Sequence, residues 1–167
     1  DANDVQRVRQ NIAKHAPGAA IVLAESPVLV SDPALIRGKR VLVVEDGPTL
    51  THGGMKFGAG TIAAQKHGAA EIVDPRPWAV GTLEESYRIY PDIGVQLPAM
   101  GYSEQQIHDL QSTINAVDCD LVLFSTPINL TRLLSINKPA LRVRYEYRDH
   151  SPPFLEDVLL QKLQTVL

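Results

Sequence analysis

The chain has 167 residues, 44% of them hydrophobic and 21% charged, and its formal net charge at pH 7 is −3. This length and composition are typical of a globular protein with a full core, and the negative charge argues against a nucleic-acid partner. A single cysteine, Cys119, excludes a disulfide within the chain and favours a reducing compartment. No apolar run approaches the roughly 20 residues that span a bilayer, and no signal peptide is visible. We therefore expect a cytoplasmic protein with no membrane partner.

Helical and strand patterns alternate along the chain. Val5, Val8 and Ile12 recur at helical spacing, which predicts a helix over 4–15 that ends before Pro17. Short apolar runs predict strands, and periodic segments bounded by glycine or proline predict helices. The predicted strands are 20–24, 40–45, 71–74 and 121–124, and the next two predicted helices are 60–67, closed by Gly68, and 83–90.

Two capping boxes are predicted at helix starts. Thr82 with Glu85 would cap helix 83–90, and Ser103 with Gln106 would cap the helix that follows. Between them, residues 91–101 contain two prolines and two glycines, which predicts a loop.

The C-terminal part contains one alternating strand and one apolar helix. Residues 141–148 alternate apolar and charged side chains, which is typical of a half-exposed strand. Ser151 and Pro152 predict the start of a last helix that is apolar nearly all round. That helix either fills a core groove or meets a second copy in a homodimer.

This alternation predicts the α/β class: a three-layer Rossmann-like domain with a mostly parallel sheet and helices on both faces, spanning residues 1–167 as a single domain. In such sheets ligands bind beyond the carboxyl ends of the strands. Polar residues follow four of the predicted strands, so we expect them to converge at one edge of the sheet. These clusters are Glu25-Ser26, Glu45 to Gly60, Asp74-Pro75-Arg76 and Ser125-Thr126.

The most informative segment is the glycine-rich run 44–60, which contains five of the eleven glycines: Gly47, Gly53, Gly54, Gly58 and Gly60. A strand, a glycine-rich loop and a helix start, in that order, favour an anion site made by backbone N–H groups. Lys56 would add charge, and the side chains of Thr49, Thr51 and His52 would add hydrogen bonds. The alternative is a tight connection that simply requires glycine.

Charged residues suggest further chemistry near the strand ends. Glu45 and Asp46 end a strand, where carboxylates can hold a metal or cap a helix. Arg76 is held between two prolines, which would position its guanidinium. Arg142 and Arg144 share one strand face, which suits either oxyanion recognition or a solvated edge. The sequence contains no GxxxxGK followed by Ser or Thr, and therefore no P-loop.

Several stretches resemble the C-terminal part of the cyclic 2,3-diphosphoglycerate synthetase family, and the match extends from about residue 3 to 148. The most specific run is Asp46-Gly47-Pro48-Thr49-Leu50-Thr51-His52-Gly53-Gly54-Met55, preceded by 38–45. Other matching stretches are 58–60, 71–77, 97–103 and 125–130.

The resemblance implies a longer P-loop, GTPase-related protein that uses ATP (or GTP) and Mg²⁺ to close an intramolecular phosphoanhydride in 2,3-diphosphoglycerate. This chain would then need the upstream P-loop region as its partner and would be inactive alone. Glu25, Ser26 and Pro27 would lie where such proteins hold the nucleotide base. Alternatives are a GTPase-like regulatory or metallochaperone module and a structural dimerisation domain.

The implied small phosphorylated substrate is a dense anion, and its ring closure brings like charges together. His52, Lys56 and Arg76 are the expected catalytic residues, and Glu45 and Asp46 the expected Mg²⁺ ligands. The expected phosphate-binding residues are Thr49, Thr51, Gly53, Gly54, Gly58, Gly60, Arg142 and Arg144.

Overall fold

The structure is a computed structural model that describes residues 2–51 and 55–164. In chain order its helices and strands are α1 (Ala2–His15), β1 (Leu23–Glu25), β2 (Val28–Val30), β3 (Arg40–Asp46), α2 (Gly47–Thr51), α3 (Ala59–Lys66), β4 (Glu71–Ile72), α4 (Thr82–Ile89), β5 (Leu97–Ala99), α5 (Glu104–Ala116), β6 (Leu121–Ser125), β7 (Ala140–Tyr145), β8 (Arg148–Ser151) and α6 (Leu155–Gln164).

The chain divides into two compact units. The smaller unit contains residues 2–27 and 146–164, and the larger unit contains residues 28–145, apart from the three that the structure does not describe. The expectation of one domain over residues 1–167 stays a prediction.

The larger unit is built on a six-stranded sheet of order β2-β7-β6-β3-β4, in which β5 also pairs with β3. Only β2 runs antiparallel to its neighbour, so the predicted α/β class with a mostly parallel sheet is confirmed. In the centre of this sheet Glu45 lies opposite Ser125 on one side and Pro98 on the other. The register therefore brings the ends of β3, β5 and β6 to one edge.

Alternate residues of β3 pack against helices on opposite faces of the sheet. Val41 and Val43 share a core with α3, whereas Leu42 and Val44 share a core with α4 and α5. All four side chains have no exposed surface. A strand that is buried on both faces needs apolar side chains at consecutive positions, which is the pattern that predicted β3. The more specific Rossmann-like arrangement stays a prediction.

Two of the predicted helix boundaries are confirmed. Gly68 follows α3 with a φ of +74°, a left-handed conformation that glycine adopts without a steric penalty. At the start of α5 the Ser103 side chain accepts from the backbone N–H of Gln106, and the Gln106 side chain accepts from the backbone N–H of Ser103.

The predicted capping box of Thr82 with Glu85 is wrong. Gly81 is the residue before α4, and Thr82 is the first helical residue. The carboxylate of Asp109 accepts from both the backbone N–H and the hydroxyl of Thr82, each at 2.9 Å. A side chain from α5 therefore caps α4, and a contact between residues far apart in sequence gives no local signal.

The predicted loop 91–101 contains a strand. Within it, β5 runs parallel to the second half of β3, despite Pro98. Because β5 pairs on one side only, proline costs it no hydrogen bond on the open side. The short strand β2, at Val28–Val30, was not predicted either.

The smaller unit corrects three expectations. Its strand β1 begins at Leu23, later than predicted, and pairs antiparallel with β8 in a separate two-stranded sheet. Glu25 and Ser26 therefore do not follow a strand of the parallel sheet. Ser151 ends β8, so the last helix begins at Leu155 and not at Ser151-Pro152.

The helices of the smaller unit leave apolar side chains exposed. None of the described residues of α1 or α6 is buried, and Leu159, Leu160 and Leu163 are each more than half exposed. Within residues 2–51 and 55–164, no helix is long and apolar enough to cross a membrane.

Candidate functional site

The carboxyl end of β3 carries a buried carboxylate, that of Glu45, which is 2% exposed. Its Oε1 accepts from the backbone N–H of Thr61 at 2.9 Å and from the Thr61 hydroxyl at 3.3 Å. The Gly58 N–H and the Ser125 hydroxyl also favour its charged form. Burial raises the pKa of Glu45 above its ordinary value of 4.5, and these hydrogen bonds oppose that rise. A strongly buried acid thus lies at the sheet edge where ligands bind in such folds.

Two glycines at the start of α3 make room for this carboxylate. A Cβ added at Gly58 would come within 2.3 Å of Glu45 Oε2, and one added at Gly60 would come within 2.7 Å of Val43 Cγ1. Glu45 therefore serves the first turn of α3 as a capping acceptor, where the helix dipole also favours a carboxylate. This favours helix capping, one of the two alternatives for Glu45, and a packing role for both glycines.

The buried network continues to a residue that the sequence analysis did not single out. Gln96 is 4% exposed, and its Nε2 donates to the Thr61 hydroxyl at 3.2 Å, which in turn donates to Glu45. The Gln96 Oε1 is buried without a described partner. The polar Thr61 at the start of an apolar helix could have indicated a buried polar network. Gln96 gave no such indication, because it lies in the segment that was predicted to be a loop.

The expected metal ligands do not form a complete metal site within the described residues. Glu45 is already held by the start of α3, and Asp46 accepts from the Thr49 hydroxyl at 3.0 Å. Across residues 2–51 and 55–164, no group of three His, Cys, Asp or Glu side chains is placed to share a metal ion. The Mg²⁺ role of Glu45 and Asp46 stays a prediction, because one or two carboxylates with water and phosphate oxygens can also hold this ion.

The glycine-rich run is described only in part. His52, Gly53 and Gly54 lie outside the described residues. Thr51 and Lys56 line a cavity of about 360 Å³, together with residues of the 89–93 segment. The Thr51 hydroxyl donates to the Gly47 carbonyl at 3.1 Å. Lys56, one of the expected catalytic residues, is exposed and forms no hydrogen bond or ion pair within the described residues.

Arg76 is paired with a neighbouring carboxylate. Its guanidinium pairs with Asp74, Nη2 to Oδ2 at 2.6 Å, which lowers the pKa of that carboxyl and balances the charge of the arginine. The preceding strand β4 pairs with β3 only at Arg40 and Val41. Arg76 follows the last residue of β4 by four positions, and its catalytic role stays a prediction.

Arg142 and Arg144 do reach this edge. Both line a cavity of about 220 Å³ with Ser125, Thr126 and Pro127, the residues that end β6. The Arg142 Nη2 donates to the Pro127 carbonyl at 2.7 Å, and its Nε is buried without a described partner. In the described part of the chain, neither arginine forms an ion pair. Two unneutralised guanidinium groups make this cavity suitable for an anion.

The residues expected at the nucleotide base belong to the smaller unit. Glu25 lies on β1, where its Oε1 is 2.8 Å from the Nδ1 of His150 on β8, and Ser26 and Pro27 follow it. Glu25 and His150 line a cavity of about 800 Å³ with Gln6, Arg9 and apolar residues of α1 and β1. The cavity is large enough for a small ligand, and the base-binding role stays a prediction.

Comparison with known proteins gives one informative match. The chain is 56% identical over 157 residues to arginine synthetase ArcE of Thermococcus kodakarensis. The match covers 94% of this chain and 35% of the relative, so the chain spans about a third of the length of the curated protein that it matches. No family model matches the chain. No solved structure matches it either. The chain is thus similar, over nearly all of its own length, to one part of a longer arginine synthetase.

Proposed function

We propose that this chain is one part of a longer, nucleotide-dependent synthetase that forms arginine. The single observation that carries the proposal is the 56% identity to arginine synthetase ArcE, because it extends over 94% of the chain. The resemblance noted in the sequence points to the same broad class of reaction, since it too implies a synthetase.

The geometry at the carboxyl edge of the sheet supports a role on the substrate side. The ends of β3, β5 and β6 meet there, and Arg142 and Arg144 lie beside the end of β6 without carboxylate partners. Lys56 adds an exposed cation on the wall of another cavity. An amino-acid or phosphorylated substrate carries oxyanion groups, and unpaired guanidinium groups bind oxyanions through two parallel hydrogen bonds.

Nucleotide binding belongs, in this proposal, mainly to another part of the longer protein. This chain contains no P-loop, and no three of its described His, Cys, Asp or Glu side chains are grouped so that they could share a metal ion. ATP would supply the energy for ligation when bound there. What this chain contributes is the orientation of an anionic substrate by Arg142, Arg144 and Lys56, and a rigid, water-poor sheet edge around Glu45.

A segment exchange tests the proposal. The part of the Thermococcus kodakarensis enzyme that matches this chain is replaced by this chain, and arginine formation is followed by amino-acid analysis. We expect the exchanged enzyme to form arginine, because 56% identity preserves a core and its site. A matched control carries the same exchange with Glu45→Lys, which puts a cation at the start of α3 and should abolish activity. A folded exchange enzyme that forms no arginine would contradict the proposal.

A second candidate product is the cyclic phosphoanhydride of 2,3-diphosphoglycerate. The run Asp46–Met55 favours it, since that run carries the resemblance to the cyclic 2,3-diphosphoglycerate synthetase family. The same exchange enzyme, incubated with ATP and 2,3-diphosphoglycerate, separates the two candidates. Cyclic product without arginine would favour ring closure, whereas arginine without cyclic product would favour the first candidate.

A further inference from the structure

The small cavity between the ends of β6 and β7 has an unusual wall. It is lined by Ser125, Thr126 and Pro127 from one strand end and by residues 142–145 from the other. None of these lining residues is acidic, and two are arginines. Neither arginine is paired with a carboxylate within the described ranges. The local charge is therefore positive, although the whole chain is negative.

Arg142 carries a hydrogen-bond donor that its surroundings leave unused. Its Nη2 donates to the Pro127 carbonyl at 2.7 Å, which fixes the guanidinium against the loop after β6. Its Nε–H is buried and finds no acceptor among the described residues. A buried donor without an acceptor destabilises the folded chain, and more so when the donor belongs to a charged group. A buried donor of this kind needs an explanation, and an acceptor oxygen supplied by a bound ligand would be one explanation.

We infer that this cavity is an oxyanion subsite in which Arg142 is the anchor and Arg144 a second donor for one carboxylate or phosphate group. The hydrogen bond to Pro127 holds the guanidinium plane, and a ligand oxygen that reaches Nε would supply the acceptor that this donor lacks. The side chain of Arg144, on the same face of β7, approaches the oxyanion from the solvent side.

The size of the cavity sets the class of ligand. Its volume of about 220 Å³ is below the roughly 300–1,000 Å³ of sites that enclose a whole ligand. It therefore holds one oxyanion group and leaves the rest of the molecule outside. The inference rests on the proposed function only for the identity of that molecule, which would carry its carboxylate or phosphate here.

The test observes the Arg142 Nε–H directly. The ¹⁵N-labelled chain is titrated with inorganic phosphate and, separately, with acetate, and the arginine Nε–H signals are followed by NMR. We expect the Arg142 signal to shift saturably with at least one anion. A response to phosphate alone identifies a phosphate subsite, and a response to acetate alone identifies a carboxylate subsite.

Two variants complete the test. Arg142→Lys keeps the charge but removes the planar donor, so affinity should fall roughly tenfold or more, as for one lost hydrogen bond to a charged group. Arg132→Gln removes an exposed arginine that does not line the cavity, and it should change affinity less than about twofold. The inference is overturned if the Arg142 signal does not respond to either anion, or if the Arg132 signal shifts in parallel with it.

Failure of this inference can be told apart from failure of the proposed function. If the segment-exchange enzyme forms arginine with unchanged KM and kcat after Arg142→Lys, the subsite is wrong and the synthetase role stands. If Arg142 binds an oxyanion but the exchange enzyme forms no arginine, the subsite stands and the proposed product is wrong.

Discussion

Replacing Gly58 by alanine should destabilise the larger unit through one specific clash. The added Cβ would lie 2.3 Å from Glu45 Oε2 and 2.7 Å from Glu45 Cδ. The carboxylate cannot simply retreat, because Thr61 holds it through two hydrogen bonds and Glu45 is only 2% exposed. Gly58→Ala therefore forces Glu45 off the start of α3.

The cost follows from what is lost there. Displacing the carboxylate removes its hydrogen bonds from the backbone N–H and the hydroxyl of Thr61, and each hydrogen bond to a charged acceptor contributes about 1.5–3 kcal/mol. Alanine also stabilises a helix less than glycine does at the position before its first residue. In the opposite direction, alanine restricts the unfolded chain, which stabilises the folded state by about 0.4–1 kcal/mol. We expect a net loss of about 2–4 kcal/mol in the free energy of unfolding.

Urea unfolding followed by circular dichroism measures this loss, and a double-mutant cycle assigns it. Glu45→Ala removes the atoms with which the new Cβ collides, so Gly58→Ala should cost far less in that background. We expect a coupling energy of at least about 1 kcal/mol. Gly18→Ala is the matched control, because a Cβ there meets nothing within 4 Å.

Two results would refute this reasoning. A loss below about 0.5 kcal/mol for Gly58→Ala would mean that Glu45 does not occupy the space beside Gly58. An equal loss with and without Glu45 would mean that the cost arises from the backbone of the glycine-rich run. Either result would remove the capping role assigned to Glu45.

Three further predictions concern stability and titration. Because burial raises the folded-state pKa of Glu45 above 4.5, the stability advantage of the wild type over Glu45→Gln should be largest at low pH. This stability difference should decline by up to about 1.4 kcal/mol per pH unit as the pH rises through that pKa. Urea unfolding of both proteins from pH 4 upward measures it, and a difference that stays constant or grows with pH would contradict the prediction. Ser103→Ala should cost about 1 kcal/mol in thermal unfolding, whereas an unchanged midpoint would mean that the capping box contributes nothing. The hydrogen bond to Asp149 raises the pKa of Tyr147 to about 12, so Tyr147→Phe should remove a late step from the ultraviolet titration, and loss of an early step would contradict it.

Much of the larger unit was predictable because its signals are local. The apolar run of β3 and the Ser103–Gln106 box are written in consecutive residues, and both appear as expected. The glycines at the start of α3 indicated that the backbone comes close to another group. They did not indicate which group that is. The structure shows that at Gly58 it is the Glu45 side chain.

The errors arose where long-range contacts decide the structure. The strand β5 contains three residues with a proline in the middle, and only its pairing with β3 makes it a strand. Asp109 caps α4 from another helix, which no local pattern near Thr82 reveals. At the candidate site, the sequence pattern indicated Arg142 and Arg144 as oxyanion-binding residues. It did not indicate the cavity that they share with the end of β6, because β6 and β7 are neighbours in the sheet but are separated in the sequence.

The central claim is that the sheet edge at Arg142 and the wall at Lys56 form the substrate side of a synthetase, and turnover of the segment-exchange enzyme tests it most directly. The measurement compares kcat/KM for Arg142→Gln and Lys56→Gln with that for the matched controls Arg132→Gln and Lys66→Gln. We predict losses of roughly tenfold or more for the first pair, equivalent to about 1.4 kcal/mol each, and changes below about twofold for the controls. Equal losses in both pairs, or no loss in the first, would contradict the claim.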